Sequence, residues 1–184
     1  MTRLVRTASV VALALLVLTP TAAAAAQDPE ARIKTASALL LSPPNPSVTQ
    51  AAIVNAMVEL LDVTVSLTQG AQYGQDIKYR IDVAKDLILK TSMFNEKARQ
   101  YLSFAHRMTL GGKKYEKPKE LDEFVTPEEM QQKSRKYCAT LVNGALAALE
   151  RGQKGEAARL LLELVLAIVT PVSGAGAGLP GDSR

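Results

Sequence analysis

The side chains best suited to chemistry in this chain are a single histidine, His106, and a single cysteine, Cys138. One histidine cannot supply the set of nitrogen and sulfur ligands that a structural zinc site needs. His106 follows Leu102 and Ala105 in a helical pattern, which places it at the boundary of an apolar face. A lone histidine at such a boundary is more often a partly exposed surface residue than a ligand.

Haem binding is the alternative use of His106, because a histidine and a methionine can together hold haem iron inside a helical bundle. The candidate methionine ligands are Met57, Met93 and Met130. The sequence contains no Cys-x-x-Cys-His run for covalent attachment. We predict no cofactor, and we keep a carrier of haem or of another hydrophobic ligand in the bundle core as the alternative function.

Cys138 is in step with Val142, Ala145 and Leu149 at helical spacing. This spacing places it on a buried face, where a free cysteine behaves as a small apolar side chain. As the only cysteine it cannot form an intrachain disulfide, so stability has to come from packing.

Paired carboxylates are the remaining candidates for catalysis, and the clearest pair is Asp82 with Asp86. Lys85 and Lys90 lie at helical neighbour spacing to these aspartates, which is typical of a solvated helix face. The sequence also lacks a glycine-rich phosphate loop, a nucleophile elbow and a metalloprotease pattern. We therefore predict that the chain is not an enzyme, with no catalytic and no metal-binding residues.

The first 26 residues have the three parts of a secretory signal peptide. Arg3 and Arg6 form a basic start, an apolar run follows over residues 8–18, and small residues lead to a cleavage point near Ala26. An uncleaved membrane anchor is the competing interpretation, but Pro20 interrupts the apolar stretch. We predict a periplasmic or secreted protein with no stable membrane span after cleavage.

The charge balance of the remaining chain is close to neutral. Loss of Arg3 and Arg6 lowers the formal net charge from +4 to +2. With no tryptophan and few aromatic residues, base-stacking surfaces are scarce, so nucleic acid is an unexpected partner.

The elements that position these side chains are all predicted to be helices. Apolar residues recur at helical spacing in segments separated by proline, glycine and capping residues. The predicted starts are Asp28, Ser47, Asp76, the Ser92 to Asn95 break, Thr126 and Gly155. We predict one all-α domain over residues 27–171, an antiparallel bundle or a short stack of helical hairpins with five to six helices. Residues 172–184 are predicted to be a disordered tail.

Two details of this assignment are less regular. Residues 63–67 alternate and are partly β-branched, as in a strand, but no second strand is available to pair with them. The segment from Gly155 to Thr170 is apolar on most sides, which predicts the buried centre of a bundle or one side of a dimer, so a homo-oligomer stays open.

A long polar connection over residues 112–125 separates the two halves of the domain. Connections of this length are often functional. We predict that the protein is an exported binding or scaffolding module for a protein or peptide partner, and that Tyr115, Leu121 and Phe124 contact this partner.

Two segments resemble the turn and second helix of a tetratricopeptide-type helical hairpin. Their small and large apolar positions correspond: Ala98, Leu102 and Ala105 in one segment, Ala157, Leu161 and Leu164 in the other. The copies are 59 residues apart instead of about 34, and neither first helix carries the usual signature. The resemblance implies stacked helical hairpins that bind a partner.

Overall fold

The computed structural model describes residues 28–42, 48–91, 95–110 and 127–169, and this part of the chain contains six α-helices and no strand. The helices are α1 (Pro29–Leu41), α2 (Gln50–Leu67), α3 (Gly74–Thr91), α4 (Glu96–Thr109), α5 (Pro127–Glu150) and α6 (Lys154–Val169). The all-α prediction is confirmed.

Several predictions concern residues outside those ranges. They are the signal peptide over residues 1–26, the tail over residues 172–184, the start at Thr126, and the partner contacts Tyr115, Leu121 and Phe124. Met93 and the side chain of Met130 also lie outside the described part.

Side-chain caps explain where three helices begin. Asp28 accepts a hydrogen bond from the backbone N–H of Glu30 at 3.3 Å, as its position before Pro29 predicts. The cap of α2 is Thr49, whose hydroxyl accepts from the N–H of Ala52. The prediction of Ser47 as this cap was wrong by two residues. Asn95 caps α4 in the same way.

The alternating segment over residues 63–67 is helical, because α2 continues to Leu67. The hydroxyl of Thr64 donates to the carbonyl of Leu60 at 2.8 Å, so this buried polar side chain is satisfied within the helix. A tight turn then leads to α3, which begins at Gly74, two residues before the predicted start. A Cβ at Gly74 would lie 2.4 Å from the backbone oxygen of Thr68, so the close approach of these two segments requires glycine.

The helices form three antiparallel hairpins, α1 with α2, α3 with α4 and α5 with α6. The hairpins close around α6, which packs against α2 and α4 as well as α5. Its fully buried side chains are Ala157, Ala158, Leu161, Leu162, Leu164, Val165 and Leu166. This confirms that the apolar segment is the centre of the bundle.

The closed arrangement differs from an open stack of repeats. In an open stack each unit contacts only its neighbours along the chain. Here the first hairpin contacts the third, through α1 with α5 and α2 with α6. The Ala98 and Ala157 faces that resemble tetratricopeptide hairpins are fully buried, and they belong to helices that pack directly on each other.

One helix in the described ranges, α2, is long and apolar enough to cross a bilayer. Buried core helices satisfy the same criteria, and α2 packs against α1, α3 and α6.

Candidate functional site

His106 is fully enclosed, with 1% of its surface exposed. The prediction of a boundary position with partial exposure was therefore wrong. The α4 helix is surrounded on that side by α6, whose Glu163 places Oε2 3.6 Å from His106 Nε2. Haem ligation by His106 would require this contact to be broken. A substrate cannot reach the ring without an opening of the bundle.

Glu163 is the centre of a polar cluster that joins α4, α5 and α6. The Tyr137 hydroxyl donates to Glu163 Oε1 at 2.5 Å, and an Arg159 guanidinium nitrogen donates to Oε2 at 2.6 Å. Arg159 also pairs with Glu156 on the exposed edge of α6. The polar stripe along α6 thus holds three helices together.

The pKa of Glu163 is lowered by this cluster. Partial burial on its own would raise the pKa, but the neighbouring His106, the hydrogen bond from Tyr137 and the positive charge of Arg159 outweigh it. Glu163 is therefore ionised at neutral pH. Its carboxylate has a structural role, since its contacts are directed into the bundle.

Cys138 is buried, as predicted. Burial raises the pKa of its thiol to about 11, so the nucleophilic thiolate is scarce at neutral pH. On the solvent face of α3, Asp86 is 3.1 Å from Lys90, as their spacing predicts. Asp82 contacts Lys78 more closely and is 3.9 Å from the predicted partner Lys85, which has a shorter contact with Asp62 of α2. Within the described ranges, no group of three His, Cys, Asp or Glu side chains is placed to hold a metal ion.

In contrast to these buried or paired side chains, a groove between α3 and α4 is open to the surface. It encloses about 290 Å³ and is lined by Arg80, Lys97, Gln100, Tyr101 and Phe104. We call this feature the α3–α4 groove.

Phe104 is the most apolar side chain that lines the α3–α4 groove, and 45% of its surface is exposed. The guanidinium carbons of Arg80 and Arg107 lie 5.3 and 5.2 Å from the centre of its ring. These distances are in the range of cation–π attraction, which fixes both guanidinium groups beside the aromatic ring.

The cations that line the groove, Arg80 and Lys97, and the adjacent Arg107 differ from other cations of the fold. Arg32, Arg99 and Arg159 each form an ion pair with a glutamate. Among the residues that the structure describes, Arg80, Lys97 and Arg107 have no acidic partner. The Nε atoms of Arg80 and Arg107 are moreover buried and donate no hydrogen bond within that part of the chain. The groove therefore combines an exposed aromatic ring with uncompensated positive charge.

The helical spacing of α4 could have revealed most of this groove from the sequence. Lys97, Tyr101, Phe104 and Arg107 recur four, three and three residues apart, which places them along one stripe of α4. Arg80 belongs to another helix, so its contact with Phe104 has no sequence signal. The surface predicted around Tyr115, Leu121 and Phe124 lies outside the described residues, and the groove was not predicted.

Comparisons with known proteins leave the groove as the main guide to function. The chain matches no protein-family model, no curated protein and no solved structure.

Proposed function

We propose that this protein is an exported helical binding module that takes a protein or peptide partner in the α3–α4 groove. The observation that carries the proposal is the half-exposed Phe104 ring between two arginines without acidic partners. Aromatic and arginine side chains are enriched at protein interfaces, where a few of them supply most of the binding energy.

The groove is supported by a rigid base. Ala98, Leu102 and Ala105 on the inner side of α4 are fully buried, and α3 packs along α4 through its own apolar stripe. A binding surface on packed helices loses little conformational entropy when a partner arrives. This favours specific recognition over loose association.

Export is the part of the proposal that rests on the sequence, through the signal-peptide features of residues 1–26. The connection over residues 112–125 follows α4, the helix that carries Phe104. Tyr115, Leu121 and Phe124 remain proposed partner contacts. Their joint replacement by alanine tests that part without altering the groove residues.

Site-specific photo-crosslinking tests the proposed function. A photoreactive phenylalanine analogue at position 104, expressed in the native host, is expected to crosslink to one exported polypeptide. The same analogue at Leu89 is the control, because Leu89 is also exposed. With about 3.6 residues per turn, it lies on the other side of α3 from Arg80.

The captured polypeptide is then purified, and its affinity for the unmodified protein is measured by calorimetry. We expect Phe104→Ala to weaken binding by about tenfold or more, and Leu89→Ala to leave it unchanged. Equal binding by the Phe104→Ala variant, or crosslinks that are the same from both positions, would overturn the proposal.

A further inference from the structure

We infer that the α3–α4 groove recognises an acidic peptide segment with carboxylates on both sides of an apolar side chain. This inference rests on the proposed function and gives the chemistry of the partner.

The cations that line the groove or lie beside it are separated along α4, with Arg107 next to the lining residue Phe104. Lys97 and Arg107 are ten residues apart on α4, which corresponds to about 15 Å. An extended peptide advances about 3.3 Å per residue, so about five residues cover this distance. A segment with one carboxylate at each end would reach Lys97 at one end and the two arginines at the other.

The Phe104 ring positions the guanidinium groups of Arg80 and Arg107 to bind carboxylates. The guanidinium carbons of Arg80 and Arg107 both lie within about 6 Å of the Phe104 ring centre, so cation–π attraction holds these groups beside the ring. The Nε atoms of Arg80 and Arg107 are buried, so the terminal nitrogens are the groups that can meet a partner. Paired N–H groups on a planar guanidinium match the two oxygens of a carboxylate.

The apolar side chain at the centre of the peptide is inferred from the residues between Lys97 and Arg107. Tyr101 and Phe104 occupy the stripe of α4 between Lys97 and Arg107. Phe104 is one of the few large apolar side chains with nearly half of its surface exposed. Covering this ring with an aliphatic or aromatic side chain removes apolar surface from water.

A peptide fits this charge pattern better than a lipid surface. The acidic side chains of Asp76, Asp82 and Asp86 on α3 and Glu96 on α4 lie on the exposed surface of the same hairpin or near it. A flat anionic bilayer extends far beyond the groove and would bring its headgroups near these carboxylates. A single extended peptide covers a much smaller part of this surface and brings only two carboxylates to it.

Fluorescence anisotropy with the purified protein tests the inference. The ligand is a labelled peptide of about five residues with a glutamate at each end and a leucine at its centre. Its matched control has glutamine in place of both glutamates. We expect the acidic peptide to bind about tenfold more tightly than the amide peptide. This difference should shrink when NaCl is raised from about 50 mM to about 300 mM.

Charge-removing variants assign the effect to the groove. Arg80→Gln, Arg107→Gln and Lys97→Gln are each expected to weaken binding of the acidic peptide by about fivefold to tenfold. Lys97 is exposed, so its replacement leaves the core intact even if an arginine variant folds poorly. Lys34→Gln removes the same charge from α1, which packs against α2 and α5, and should have no effect.

Equal affinity for the acidic and amide peptides would overturn the inference, as would an unchanged affinity in all three groove variants. Stronger retention on phosphatidylglycerol vesicles than on the peptide, lost in the same variants, would overturn it in favour of a lipid surface. If the peptides fail but a crosslinked partner still depends on Phe104, the proposed function stands and the acidic chemistry is wrong. If both fail, the groove is not a binding site.

Discussion

The hydroxyl of Tyr137 lies 2.5 Å from Oε1 of Glu163, so a hydrogen bond with a charged acceptor joins α5 to the centre of the bundle. The other oxygen of Glu163 faces Arg159 and His106. The Glu163 carboxylate in the central helix α6 therefore contacts side chains of two neighbouring helices, α4 and α5. The α3–α4 groove is separate from this cluster, because its residues on α4 lie away from the buried apolar stripe of that helix.

Replacement of Tyr137 by phenylalanine removes this hydrogen bond and keeps the ring. Because the acceptor is charged and partly buried, we expect the free energy of unfolding to fall by about 1.5 to 3 kcal/mol. Urea denaturation followed by circular dichroism measures the change. Tyr79→Phe is the matched control, since Tyr79 is 62% exposed and its hydroxyl is free to contact water. Similar stability of the two variants would show that Tyr137 does not hold α5 in this way.

Acid stability should depend on Glu163. Its pKa is lowered in the folded protein, so its ionised form stabilises the fold above the pKa of the unfolded chain, and this contribution is lost as the pH falls through the folded value. The loss therefore lies below the ordinary value of 4.5. We expect the wild type to lose more stability than Glu163→Gln between about pH 6 and pH 3.

The measurement is urea denaturation of both proteins at several pH values. Glu156 and Glu96 also have lowered pKa values through hydrogen bonds to Arg159 and Arg99, and both remain in the Glu163→Gln variant. The difference between the two pH profiles therefore reports the loss of the Glu163 charge, including its effect on the neighbouring Glu156. Parallel profiles would contradict the assignment of a lowered pKa to this residue.

Helical periodicity was sufficient for the elements but not for the contacts between them. The stripe of Ile77, Ile81, Ala84 and Ile88 on α3 is buried as the spacing predicts. Spacing along one helix assigns a residue to a face, because the rotation per residue is fixed. It gives no information about which side chain of another helix lies opposite.

The two polar arrangements of the fold depend on such opposite side chains. His106 and Glu163 are 57 residues apart in sequence, and Arg80 and Phe104 are 24 residues apart. The spacing along α4 placed His106 at a boundary, but its contact with Glu163 needs the packing of α4 on α6. The closure of the first hairpin on the third likewise has no local signal.

The close approach at Gly74, after the turn between α2 and α3, gives a stability prediction, and Gly155 in α6 is its control. An alanine at Gly74 would place its Cβ 2.4 Å from the Thr68 backbone oxygen, so the turn has to shift. We expect Gly74→Ala to reduce the free energy of unfolding by about 1 to 3 kcal/mol. Gly155→Ala in the first turn of α6 meets nothing within 4 Å and should be neutral or stabilising by up to about 1 kcal/mol. Thermal unfolding of both variants measures the contrast, and a tolerated Gly74→Ala would contradict the close approach.

Thiol reactivity measures how tightly α5 packs on the rest of the bundle. Burial raises the pKa of Cys138 from 9.0 to about 11, which lowers its thiolate fraction at pH 8 by about a hundredfold. We expect the native protein to react with a disulfide reagent far more slowly than the protein in urea, where the thiol is exposed. Free cysteine added at the same pH is the control for the reagent. Reaction of the native protein at the rate of the unfolded chain would mean that α5 opens readily, because Cys138 is only 7% exposed in the closed bundle.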